Sequence, residues 1–235
     1  MGWMLFGQVW GQYRISGRIA QPDPRFSVYL SMLEEWTDFG LLDEEMILKR
    51  AEVDSLGRFE FTGNELAEEV GFYKLHFAIE EKTPVFMSGR VAEKNYFIFL
   101  FSNSDSLELD MEEALFVPGT YKVRSGIKEN ADVLEMTVEN DQADAAMESA
   151  QTESQKKLIF EKQQLALVER IKGAEHGLLN LWALYEAKLS VEEEPEVFRK
   201  VADELQAGNF QASFSDSFEQ YLGAHFYRDL QAENT

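Results

Sequence analysis

The side chains best suited to catalysis at neutral pH are scarce in this sequence. It holds three histidines, His76, His176 and His225, and no cysteine. Histidine acts as a general base or metal ligand, and a cysteine thiolate acts as a nucleophile, redox centre or zinc ligand. The histidines lie in separate segments with no His-x-x-x-His or His-Glu-x-x-His spacing. We therefore expect packing roles for His76 and His225, and helix N-capping or solvation for His176.

Carboxylates are so numerous that a single cluster carries little information. The sequence has 43 Asp and Glu residues, with runs at 43–45 and 192–194 and a group formed by Glu65, Glu68 and Glu69. Such groups can serve as a glycosidase acid pair or a calcium site. Acidic residues are also favoured by solvent and by helix N-termini, and we prefer that interpretation. No Gly-x-Ser-x-Gly or phosphate-binding glycine loop is present. The sequence thus predicts no catalytic residue, no metal ligand and no cofactor.

Length and composition indicate a folded but strongly acidic chain. Its 235 residues are 45% hydrophobic and 13% aromatic, which is too apolar for a disordered acidic segment. The formal net charge is −21, and acidic residues exceed basic ones in both halves, by 21 to 12 in residues 1–125 and by 22 to 10 in residues 126–235. Nucleic-acid and anionic-membrane binding both depend on basic residues. We therefore expect neither, and no apolar run is long enough for a transmembrane span.

The elements that would position any site read as strands first and helices second. Residues 13–19 alternate apolar with polar or charged side chains, which leaves Arg14 and Arg18 on a solvated face. Further strands are predicted at 26–30, 46–53, 58–61, 73–79, 96–101 and 106–110. The turn at 54–57, with Gly57 supplying a positive φ, predicts a hairpin between its flanking strands. The segment 96–101 is continuously apolar and is expected to be buried on both faces.

Beyond about residue 126 the hydrophobic period becomes helical. Residues 140–172 contain no Gly or Pro and predict one helix, which Gly173 and Gly177 end. Three more helices follow. The third of the resulting four begins after a capping box at 190–193 and Pro195. The predicted fold class is α+β. An antiparallel β-sandwich or open barrel in residues 12–125 precedes about four helices in residues 126–235.

Residues 1–11 are apolar and uncharged and end in Val9-Trp10-Gly11. This ending resembles the small-residue pattern of a signal-peptidase site. We interpret the segment as a signal-peptide remnant, which places the protein in the periplasm, cell envelope or extracellular space. The alternative is a first strand or a loosely packed N-terminus, which leaves the location unknown.

Three aromatic residues, Trp36, Phe39 and Phe72, are the candidate lining of a ligand groove for a sugar or peptide. Aromatic rings also contribute large apolar areas to protein cores. Packing in the core or in a loop is therefore the competing interpretation, and the stronger one.

The order of segments resembles a family of secreted proteins. The segments concerned are 13–19, 53–61, 71–75, 96–101 with 106–109, and Ser125-Gly-Ile-Lys-Glu-Asn130. Together they are similar to the N-terminal region of TlpA-like, AhpC/TSA-like thioredoxin-family proteins of Bacteroidetes. There a β-rich domain of unknown function and a helical segment precede a thioredoxin-like domain. This chain has no Cys-x-x-Cys, so the catalytic role of that domain does not carry over.

The resemblance implies a non-catalytic accessory or interaction module of the cell envelope. Its partner would be another envelope protein or a thioredoxin-like domain, and the chain would be a stand-alone relative or part of a longer protein. The alternative is a binder of an extracellular small molecule, glycan or peptide in a groove between the β domain and the helices. A hydrolase built on a Glu or Asp pair is the remaining hypothesis; it requires two carboxylates about 5–9 Å apart in a cleft.

Overall fold

A computed structural model describes residues 12–23, 25–79, 85–208, 210 and 212–232, with side chains up to residue 224. The segment 1–11, interpreted above as a signal-peptide remnant, lies outside these residues. The strands are β1 (Tyr13–Ile19), β2 (Phe26–Met32), β3 (Ile47–Glu52), β4 (Arg58–Gly63), β5 (Gly71–Ile79), β6 (Tyr96–Phe101), β7 (Ser106–Met111) and β8 (Tyr121–Ser125). The helices are α1 (Asn130–Ser149), α2 (Glu153–Gly173), α3 (Gly177–Glu186), α4 (Pro195–Ala207) and α5 (Ala212–Ala232).

The strands form two four-stranded sheets, which confirms the α+β class with helices after strands. The first sheet has the order β4-β1-β7-β8 and the second β3-β2-β5-β6. Every pairing between these strands is antiparallel except that of β1 with β7. The expected hairpin is wrong in one respect: Gly57 does adopt φ +76 in a tight turn, but β3 and β4 belong to different sheets. The turn therefore carries the chain from one sheet to the other.

Alternation along the strands builds the core between the sheets. On the first sheet the inward residues include Ile15, Phe61 and Leu109, and on the second Leu75 and Phe99, all nearly or fully buried. The opposite face of the first sheet is charged and exposed. Arg14, whose side chain is 62% exposed, pairs there with Glu60 across the strands, and Arg18 is also exposed. The predicted solvated face is therefore confirmed.

The second sheet is buried on both faces, as predicted for residues 96–101. Its far side contributes Phe72, Ile98 and Leu100 to a second core, which it shares with all five helices. The molecule consequently has three layers: the charged sheet, the fully buried sheet and the helices. Of the helices that the structure describes, none combines the length and apolar character that a membrane span needs.

The described helical region has five helices where about four were expected. The predicted helix over 140–172 is two helices, because the chain is extended at Ala150 and Thr152. Thr152 then caps α2 by accepting from the Gln155 backbone N–H. The break was missed because the segment has no Gly or Pro to indicate it. The remaining boundaries agree closely, including the start of α4 at Pro195 and its end before Gly208.

Asn130 joins the strand layers to the helices. Its Oδ1 accepts from the Leu100 backbone N–H at 2.7 Å, and its Nδ2 donates to the Leu100 carbonyl at 2.8 Å. The same Nδ2 donates to Ser125 Oγ at 2.7 Å. Leu100 lies on β6, an edge strand whose outward N–H and C=O would otherwise lack a strand partner. The amide of Asn130 therefore takes the place of one residue of a neighbouring strand.

We expect Asn130→Ala to destabilise the protein by about 2–4 kcal/mol, because it leaves a buried N–H and a buried C=O unpaired. Urea unfolding followed by circular dichroism measures this change. The matched control is Asp132→Ala on the exposed side of the same helical turn, which should stay within about 0.5 kcal/mol of wild type. Equal stability of the two variants would show that the Asn130 bonds do not hold the layers together.

Candidate functional site

The three candidate groove residues do come together, but inside the second core. The ring centroids of Trp36 and Phe39 are 5.9 Å apart, and those of Phe39 and Phe72 are 4.8 Å apart. Further rings from the helices, including Trp182 and Tyr185, contact Phe39. Phe39 is 1% exposed and Phe72 is fully buried. Trp36 is partly buried and packs against the same core. The contacts of all three residues fit packing, the competing interpretation.

The histidines that the structure describes are held by packing and capping. His76 is fully buried and stacks on Tyr29 with centroids 5.0 Å apart. His176 is the N-cap of α3, where Nδ1 accepts from the Leu179 backbone N–H at 3.4 Å. The side chain of His225 lies outside the described part of the chain.

The acidic groups are tied to local partners. Glu65 accepts from Tyr13 at 2.7 Å and pairs with Lys49 at 2.5 Å, and these contacts lower its pKa to about 2 although burial opposes them. Glu68 accepts from Asn103. Within the described residues, no three His, Asp or Glu side chains gather as a metal site.

A buried lysine fastens a loop to the second sheet. Lys74 on β5 is fully buried, and its Nζ donates to the carbonyls of Asp38, Phe39 and Leu41, the last at 2.6 Å. These carbonyls lie in and just after the short 3-10 helix Trp36–Gly40, and a helix end leaves its last carbonyls without partners. Burial lowers the pKa of Lys74 to about 8. The alternating pattern places Lys74 opposite the sandwich core but gives no sign that helices cover that face.

A second buried polar network holds α1 and α3 near the sheet. Lys94, just before β6, donates to Asp141 on α1 at 2.7 Å, with side-chain exposures of 9% and 5%. The neighbouring Asn140 donates to Glu186 on α3. Burial raises the pKa of Asp141, an effect that Lys94 partly offsets. Burial raises the pKa of Glu186 to about 7, and Lys94 opposes this shift while Asp141 adds to it.

This network has the raised carboxyl pKa values of a catalytic pair but not its setting. Asp141 is buried and bonded to Lys94, and neither Asp141 nor Glu186 is among the residues that line the two grooves beside α1. A catalytic pair needs a cleft that admits substrate. The network is therefore best explained as a means of holding the layers together. The sequence carries only a weak sign of this network, namely the polar residues Asn140 and Asp141 among the buried positions of α1.

A helical hairpin is the least buried part of the described helical region. We call residues 142–166 the arm: the second half of α1, the connecting turn and the first two thirds of α2. All of these residues are described, and none is buried. Leu158 and Leu165 on α2 are 67% and 62% exposed. They are seven residues apart and hence on one helix face. Isolated exposed leucines are ordinary, but two on one face of an uncovered helix indicate a contact surface.

Two grooves flank α1 where the arm begins. One, of about 650 Å³, lies between α1 and α2, with Glu139 and Gln142 on one wall and Lys162 and Ala166 on the other. The other, of about 640 Å³, lies between α1 and β8 and includes Val123, Leu134 and Val138. Arg170 pairs with Glu135 and Glu139 across the first groove and fixes how the two helices align.

Neither a protein-family model nor a curated protein matches the chain. The geometry defines the class of architecture: a β-sandwich covered on one side by helices, the first two of which form an exposed hairpin. The functional inference therefore rests on the arm.

We expect Glu186→Gln to reduce the dependence of stability on pH between about 4.5 and 7. The pKa of Glu186 is higher in the folded protein than its ordinary value of 4.5, so the folded state binds this proton more tightly. The stability it contributes is full below 4.5 and is lost as the pH rises through 7. The full shift corresponds to about 3 kcal/mol, an upper bound because the side chain keeps partial exposure.

Chemical denaturation of wild type and variant at several pH values measures the difference. Glu148→Gln, on the exposed end of α1, is the control and should leave the profile unchanged. Glu65 has a lowered pKa and affects stability only below about pH 4.5, outside this window. Parallel profiles for wild type and Glu186→Gln would contradict the assigned shift.

Proposed function

We propose that the protein is a non-catalytic interaction module of the cell envelope that binds a protein partner through the arm. The observation that supports this role is the pair of leucines on an arm with no buried residue. A helix hairpin of this length normally covers apolar residues against its own protein. Here the leucines lie on the side of α2 opposite Leu167, one of the residues that anchor this helix.

The cell-envelope location rests on the family resemblance and on the apolar segment 1–11. If it is right, the reading frame directly upstream of Met1 encodes a basic and apolar leader. Sequencing that region of the gene checks this. An upstream region without such a leader would contradict the envelope location, while the role of the arm would be unaffected.

The alternative function, binding of a small molecule, glycan or peptide, keeps one observation in its favour. The groove between β8 and α1 does lie between the β domain and the helices. Ligand sites combine an apolar surface with polar groups that orient the ligand. Two polar residues of this groove, Ser125 and Asn130, are already bonded to each other, and Asn130 also bonds Leu100. The groove is therefore a weaker candidate than the arm.

The arm hypothesis predicts that Leu158→Gln with Leu165→Gln abolishes partner capture but leaves stability nearly unchanged. Exposed leucines contribute little to the stability of the fold. In a complex they would bury apolar surface against the partner, and the substitutions remove that favourable contribution to binding. The measurement is affinity capture by tagged protein from an envelope extract that also contains untagged chain. The matched control is Leu41→Gln with Leu56→Gln, two leucines of 59% and 57% exposure outside the arm. Equal capture by arm variant and control variant would refute the role of the arm.

A further inference from the structure

We propose that the partner of the arm is a second copy of this chain, bound as a symmetric dimer in which α1 of each copy packs on α2 of the other. This inference rests on the proposed function and identifies its partner. It follows from how charge and side-chain size are distributed over the two helices of the arm.

The two helices carry opposite charge. Helix α1 has six acidic residues and no Lys or Arg, whereas α2 has five basic and three acidic residues. The acidic residues of α1 are Asp132, Glu135, Glu139, Asp141, Asp144 and Glu148, and the basic residues of α2 are Lys156, Lys157, Lys162, Arg170 and Lys172. Helix α2 is thus net positive in a chain of net charge −21. Four of the five basic residues already pair with a glutamate of the same chain, which leaves Lys162 as the basic residue of α2 without an ion pair among the described residues. The acidic α1 and this lysine make the surface complementary to its own copy.

The exposed side chains also differ in size between the two helices. We call the outward side of the arm and of the adjoining turn of α1 the outer face. On α1 it carries Glu139, Gln142 and Ala146, and on α2 it carries Leu158, Lys162 and Leu165. All six are exposed. Their spacings of three, four or seven residues keep each set on one side of its helix. The two leucines of one copy can therefore pack against the shorter side of α1 in the other.

Charge also selects the symmetry axis. An axis parallel to the arms places α1 opposite α2 of the second copy, and each residue keeps its level along the arm. An axis across the arms would place one acidic α1 directly against the other, and like charges in contact are unfavourable. The parallel axis is therefore favoured, and the assembly is a four-helix bundle with closed symmetry.

Distances from the tip of the arm then identify one pair of oppositely charged residues, Glu139 and Lys162. Glu139 lies ten residues before the end of α1 at Ser149, and Lys162 lies nine residues after the start of α2 at Glu153. With a rise of 1.5 Å per residue, both lie about 14–15 Å from the tip. Within one chain the two residues line opposite walls of the groove between α1 and α2 without forming an ion pair with each other. In the proposed dimer Lys162 of each copy faces Glu139 of the second copy. The one ion pair of Glu139 within its own chain, among the described residues, is with Arg170 at 3.6 Å.

Sedimentation equilibrium over a range of protein concentrations tests the proposal. We expect a monomer–dimer equilibrium in wild type, weakened about tenfold or more by the Leu158→Gln, Leu165→Gln pair and unchanged by the Leu41→Gln, Leu56→Gln control. Lys162→Glu and Glu139→Lys should each weaken it about three- to tenfold, because each places two like-charge pairs in the interface. Lys157→Glu makes the same change of net charge about 140° around α2 from Lys162 and should have little effect.

The decisive experiment mixes the two charge variants. In a heterodimer of Lys162→Glu with Glu139→Lys, one charge pair is the native one and the other is restored with its signs exchanged, so the mixture should dimerise about as well as wild type. Because the chain has no cysteine, Lys162→Cys in one chain and Glu139→Cys in another should also form an intermolecular disulfide under mild oxidation. Thermal unfolding of every variant establishes that it is folded.

The outcomes separate the two proposals. A wild type that stays monomeric at all concentrations, or a mixture that dimerises no better than its components, overturns the second-copy assignment. If the leucine variant nevertheless loses capture of a different envelope protein, the arm keeps its proposed function. If a dimer forms but none of the arm variants weakens it, the second-copy assignment fails, and if the leucine variant also captures partners as wild type does, the proposed function fails with it.

Discussion

The two hydrogen bonds between the Asn130 amide and the Leu100 backbone are the contact on which the three-layer arrangement depends. A sheet buried on both faces still has edges, and the edge strand β6 lies where the helices must begin. An unpaired buried backbone group costs about as much as a lost hydrogen bond. Since an amide side chain offers one donor and one acceptor with the same geometry as a peptide group, Asn130 satisfies both needs while starting α1. Asn130 thereby fixes where the helical layer begins.

When the helices cover the second sheet, they bury polar side chains that then need hydrogen-bond partners. Strand β5 carries Lys74 on the side that the helices enclose, and a buried ammonium group needs several acceptors. The end of the 3-10 helix at Trp36–Gly40 provides three carbonyls, so one contact satisfies both a charge and a helix end. Lys94 meets Asp141 in the same interface. These polar contacts fix where the helices lie, a role that apolar packing alone leaves less specific.

Sequence patterns predicted the elements far better than their relations. Alternation located most strands because the first sheet has one wet face, and the apolar run at 96–101 correctly indicated a strand buried on both sides. Pairing is a long-range property, and the turn at Gly57 looked like a hairpin although its strands enter different sheets. The break between α1 and α2 depends on a Thr152 cap in a segment of helix-favouring composition. Trp36, Phe39 and Phe72 were correctly grouped as aromatic neighbours, but only the helices opposite decide between a groove and a core.

The strong net charge acts to keep copies of this chain apart, since like-charged molecules repel at long range. That repulsion is screened within about 8–10 Å at ordinary ionic strength, whereas contacts between facing helices act at shorter distances. What matters at contact is therefore the local arrangement, and the arm separates an acidic helix from a net basic one. In the proposed dimer the general acidity adds specificity, because bringing α1 of one copy against α2 of the other sets an acidic helix against a net basic one.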